Sequence, residues 1–81
     1  SVYPNPVADE AVVAFSLAND SKVAVRVVDV QGKEVVKVAD ATMKAGDRTM
    51  KINTSDLANG IYFVKITDGT ATTNIKLVVM H

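Results

Sequence analysis

Short stretches of alternating apolar and polar residues, each about ten residues or fewer and closed by turn chemistry, constrain this chain most. Val13, Phe15 and Leu17 alternate with Ala14 and Ser16. A period of two suits a pleated strand with one face inward and no helix. In Lys22 to Val30 ("KVAVRVVDV") Val23, Val25 and Val27 share a face, while Val28 and Val30 fall out of phase. A bulge near Val27-Val28, or a strand buried on both faces, accounts for the change. Val35 or Val36 with Val38, then Met50 with Ile52, then Ile75, Leu77 and Val79 mark further strands.

The breaks between them are equally regular. Asn19-Asp20-Ser21 and Ala45-Gly46-Asp47 are turn sequences, and Asp29-Val30-Gln31-Gly32 has Asp first and Gly fourth in a tight turn. Asp68-Gly69 closes a hairpin between "IYFVKIT" and "ATTNIKLVVM". With a short strand at Val2-Tyr3, about seven strands emerge, the pattern of a small all-β, immunoglobulin-like antiparallel β-sandwich. The one helical candidate, Thr54 to Ala58, is long enough for a single 3₁₀ turn capped by Thr54 or Ser55.

Eighty-one residues form one domain with a small core, burying roughly 60–65% of the unfolded chain's surface. Without cysteine no disulfide assists, and the 48% apolar content carries the fold. Nine basic and nine acidic residues are scattered singly. That excludes the basic stripe a nucleic-acid binder needs, and a polybasic membrane anchor too. No apolar run approaches the roughly 20 residues of a membrane helix, and no signal peptide is visible. Starting at Ser1, residues 1–81 read as a single domain and as a fragment of a longer protein.

Catalytic chemistry finds little to work with. His81 is the only histidine and the last residue, read as inert or as the start of an appended tag. Ser1, Ser16, Ser21 and Ser55 have no internal histidine to act as base and no GxSxG elbow. Asp9-Glu10 with Asp20 across neighbouring loops is a weak cation candidate, against a solvated loop as the ordinary reading. No cofactor or structural metal is expected, and no enzymatic activity of the domain itself. Asn19-Asp20-Ser21 and Asn53-Thr54-Ser55 match the glycosylation sequon, a short pattern that also arises by chance. Ile61 and Phe63 lie on the strand face opposite Tyr62, Val64 and Ile66, as in a central buried strand; an exposed apolar partner site is the alternative.

One constellation is more specific. "DLANGIYFVKI" sets Leu57 before an Asn59-Gly60 turn, with Gly60 free to take positive φ. Tyr62 is then placed to return its hydroxyl to nearby backbone, as in a tyrosine corner. Together with "YPNP" (Tyr3, Pro4, Asn5, Pro6), Gly32-Lys33, Gly46 and the final "KLVV" (Lys76, Leu77, Val78, Val79), the whole chain resembles the C-terminal sorting domain of the type IX (Por) secretion system of Bacteroidetes. Members commonly end in a basic residue after the last valines, where this chain has Met80-His81.

The resemblance implies a sorting signal for a folded cargo, itself without catalytic residues. The precursor would enter the periplasm by its own signal peptide and cross the outer membrane to the cell surface or medium. Its partners would be the type IX machinery, an outer-membrane β-barrel shuttle and a sortase-like protease that removes the domain, with the cargo often joined to an anionic lipopolysaccharide. Recognition would fall on Lys76, Leu77, Val78 and Val79; Tyr3, Pro4, Asn5, Pro6, Gly60 and Tyr62 would be mainly structural. A terminal strand at a sheet edge offers free backbone to a partner by β-augmentation, and the same edge invites a strand-exchanged dimer in the isolated domain. Removing residues 76–81 is then expected to stop export and leave most of the sandwich. The alternative function is an immunoglobulin-like binding or spacer module of an extracellular enzyme.

Overall fold

Alternation becomes seven strands: β1 (Val2–Tyr3), β2 (Glu10–Leu17), β3 (Ser21–Asp29), β4 (Glu34–Met43), β5 (Gly46–Asn53), β6 (Gly60–Asp68) and β7 (Ala71–Val79). The computed structural model describes residues 1–69 and 71–81. All strand pairs within the sheets are antiparallel. A three-stranded sheet runs β1-β2-β5 and a four-stranded sheet β4-β3-β6-β7. This is the order of an immunoglobulin-like sandwich, with β6 in the position of the strand that carries the tyrosine corner.

The core lies between the sheets and is mostly valine. Ala11, Val13 and Leu17 of β2 and Ile52 of β5 face Val23, Val25 and Val27 of β3, Val64 and Ile66 of β6, and Leu77 and Val79 of β7. β-Branched side chains suit such a layer because their stiff χ1 loses little entropy on a pleated surface. Each fully buried valine or leucine contributes roughly 1.5–3 kcal/mol.

The phase change in β3 has a definite origin. β3 stays in register with β6 through Asp29, and the irregularities lie in its pairing with β4. There Arg26 pairs Lys37 after Val25 pairs Ala39, so Val38 is extra; Val28 pairs Glu34 after Val27 pairs Val36, so Val35 is extra. The bulges therefore belong to β4, an edge strand, where bulges also discourage foreign pairing. Val28 points to the outer face and is buried there.

Turns form as the residue types dictate. Asp29 Oδ1 accepts from Gln31 N (2.9 Å) and Lys33 N (3.0 Å), and Gly32 takes φ 85°, which L side chains avoid. Gly46 already opens β5, so that turn lies at Lys44-Ala45, slightly earlier than expected. The turn after β5 is one hydrogen bond long (Leu57 N to Thr54 O, 3.1 Å). Its cap is neither Thr54 nor Ser55: Asn53 Oδ1 accepts from Ser55 N at 2.9 Å. The tyrosine corner is present, Tyr62 Oη donating to Ala58 O at 2.7 Å.

Ile52 is 1% exposed at the centre of the core. Ile52→Ala should therefore cost about 2–5 kcal/mol, read as a lower urea midpoint. Val30→Ala, at an exposed turn residue, should stay within about 0.5 kcal/mol of the parent.

Candidate recognition site at the clasped terminal strand

The end of β7 splits its side chains between two jobs. Leu77 and Val79 are fully buried, whereas Lys76 is exposed and Val78 half-buried on the opposite face. This follows from the period of two along an edge strand of a half-buried sheet. Of the four residues expected to serve recognition, only Lys76 and Val78 present side chains outward. Removing residues 76–81 would extract Leu77 and Val79 from the core, so a sandwich that survives that truncation is not what this packing supports.

The backbone of this segment is not free. Asn5 lies against it and satisfies two groups at once: Asn5 Nδ2 donates to Lys76 O and Val78 N donates to Asn5 Oδ1, both at 2.9 Å. Val7 continues the contact as a one-residue parallel bridge, its N donating to Val78 O and its O accepting from Met80 N, both at 2.8 Å. Val7 is 1% exposed. The outer edge of β7 is thus covered from Lys76 O to Met80 N, and the expected β-augmentation along this stretch is already taken by the chain's own N-terminal segment. The open part of the edge lies earlier, at Thr72 and Asn74, whose outward backbone groups have no partner among the described residues.

The same segment fastens to the other sheet. Thr54, a buried polar residue just beyond β5, donates Oγ1–H to Ala8 O (3.0 Å) and N–H to Asp9 O (2.9 Å). Residues 5–9 therefore lace β7 to the end of β5 and close one end of the sandwich. The entrance motif explains itself here. Proline at 4 and 6 leaves those positions without an N–H to satisfy, and the hydrogen bonds come from Asn5 and Val7 between and after them. Both X–Pro bonds, Tyr3-Pro4 and Asn5-Pro6, are cis. Tyr3 is half-exposed, pairs with Val12 and takes no part in the clasp.

The chain end is docked as well. His81 N donates to Asn59 Oδ1 (2.9 Å), and the ring Nε2 lies 2.6 Å from Leu57 O. A carbonyl only accepts, so Nε2 carries the proton. Nδ1 faces Asp9 Oδ1 at 3.6 Å, the separation of an ion pair when the ring is charged. His81 is therefore integrated with the Leu57–Asn59 loop beside the tyrosine corner. Gly60 pairs with Val79 and Tyr62 with Leu77, which links the corner to the terminal strand.

The cation candidate does not assemble. Asp9 lies by Thr54 and His81 at one end of β2, while Asp20, beyond its other end, accepts from Ala45 N and pairs with Lys44. Among the described residues no three metal-binding side chains converge. Nothing in the hydrophobic pattern marks Val7, Thr54 or the lacing, because residues 4–9 carry no alternation to read.

Two substitutions test the lacing. Asn5→Ala should speed hydrogen exchange of the Val78 amide far more than that of Leu77, which faces β6, at a cost of about 1 kcal/mol because water replaces the lost partner. Thr54→Val keeps the shape but strands Ala8 O, and should cost about 1–3 kcal/mol by chemical denaturation.

The sequence profile of the family described as "Secretion system C-terminal sorting domain" matches residues 1–80 of the chain. No curated protein and no solved structure matches it.

Proposed function

The chain belongs to the type IX secretion C-terminal sorting domains, which mark proteins for the cell surface or the extracellular space; from this premise we propose that residues 1–81 are the last domain of a cargo precursor and that its terminal strand is read through side chains. The observation that carries the reading is the division of labour at residues 76–79. Leu77 and Val79 lock the strand to the core, the Asn5–Val7 clasp occupies its outer backbone, and Lys76 and Val78 remain displayed on a rigid support. A partner that must accept many unrelated cargos gains from a signal whose geometry does not depend on the cargo. Pre-ordering also lowers the entropy lost on binding.

In this reading the precursor reaches the periplasm by its own signal peptide. The domain then engages the type IX machinery, with an outer-membrane β-barrel among its partners. A sortase-like protease removes it at the surface. The domain acts as an address and contributes no catalytic group. Strand exchange between isolated copies would have to begin at the open Thr72–Asn74 stretch or displace the clasp.

The test fuses residues 1–81 to a reporter bearing a periplasmic signal peptide in a type IX-competent bacterium. The parent fusion should reach the surface. Lys76→Glu with Val78→Asp should lower surface reporter by roughly tenfold or more with an unchanged circular dichroism spectrum, whereas Leu77→Ala should lose both fold and export. A parent reporter retained in the periplasm overturns the sorting role. Undiminished export of the folded double variant overturns recognition through Lys76 and Val78.

A further inference from the structure

The outer face of the four-stranded sheet carries a row of cations set directly opposite one another, with Glu34 and Asp40 beside its β4 end. By register Lys37 of β4 stands opposite Arg26 of β3, and Arg26 stands opposite Lys65 of β6. Like charges directly opposite destabilise a sheet. Yet neither Arg26 nor Lys65, both half-buried, has a carboxylate within 4.0 Å among the described residues, and Lys37 has only Asp40 at 3.8 Å. The neighbouring row places Val28 opposite Phe63 and Phe63 opposite Lys76.

Beside the cations lies an apolar shelf. Val30 is 69% and Ile61 44% exposed, and Phe63 is half-buried over Val28. Val28, Val30, Gly32, Phe63, Lys65 and Asn74 line an open hollow of about 280 Å³, enough for one large side chain. Asp29 also borders it, but its Oδ1 already accepts two backbone N–H bonds.

We infer that this face docks an acidic, apolar segment of a protein partner: an apolar side chain sits in the hollow against Phe63 and Val30, and a carboxylate lies over Arg26 and Lys65. Charge complementarity selects the carboxylate, because an anion there relieves the Lys37–Arg26–Lys65 repulsion. A long polyanion fits less well. Glu34 and Asp40 border the row, and the chain's nine basic and nine acidic residues supply no long-range attraction. The surface adjoins the Lys76–Val78 display, with Phe63 opposite Lys76 and Ile61 opposite Val78, but its binding does not depend on the sorting role.

The test selects a random displayed-peptide library on the full 81-residue chain. It compares the parent with Lys65→Glu and with Val30→Asp, leaving Lys76 untouched. The parent should enrich sequences with Asp or Glu beside Leu, Phe or Ile, and synthetic copies of these should bind both variants roughly tenfold or more weakly. Lys65→Glu should at the same time keep or raise the melting midpoint, by roughly 2–5 °C, as it replaces a repulsive pair with an attractive one. Absence of acidic–apolar enrichment, or binding that survives both substitutions, overturns the proposal. So does binding of dextran sulfate that matches the peptides and ignores Val30→Asp, which would assign the row to polyanions.

Discussion

Closure of the sandwich rests on one short segment. Residues 5–9 give their hydrogen bonds in two directions, to the outer edge of β7 through Asn5 and Val7 and to Thr54 through the Ala8 and Asp9 carbonyls. A two-sheet fold of this size has little core to spare, so its seams matter as much as its centre. The lacing joins the sheets where β1 is only two residues long and could not span the gap by itself. It also covers the most consequential free edge, the strand at the end of the chain.

That covering decides how the terminal strand can work. An uncovered edge would offer main-chain hydrogen bonds to any passing strand, a hazard for a protein that must stay unaggregated until it meets its machinery. With Val78 and Met80 already paired to Asn5 and Val7, the stretch has its outward side chains left to offer. The alternation that buries Leu77 and Val79 places Lys76 and Val78 on display. The same strand thus packs the core with one set of side chains and presents another outward, with no residue serving both. Truncation confuses the two, and only outward-facing substitutions separate them.

The outer face of the larger sheet poses the reverse case. Its inner strands β3 and β6 are paired on both sides, and its core side is apolar, but the opposed cations at Lys37, Arg26 and Lys65 work against the pairing that holds them. A local cost retained on a well-packed scaffold is where binding is expected. The exposed Val30 and Ile61 beside the row point the same way.

Much of this was legible in the chain. A period of two, valine in the strands and Asp, Asn and Gly in the turns determine an all-β sandwich, because each is a local preference of backbone and side chain. The same local rules placed Tyr62 under its corner and put Lys76 and Val78 opposite Leu77 and Val79. Tertiary structure alone decided the rest. Whether Val28 reflected a bulge in its own strand or burial on a second face depended on β4, which absorbs the extra residues. That Arg26 and Lys65 stand opposite each other depended on which strands become neighbours. That Asn5 reaches across more than seventy residues to clasp β7, and that His81 docks on Leu57 and Asn59, are contacts between segments with no periodicity to betray them. Sequence pattern reports what a residue prefers within its own strand or turn; which distant edge it closes is set only when the sheets assemble.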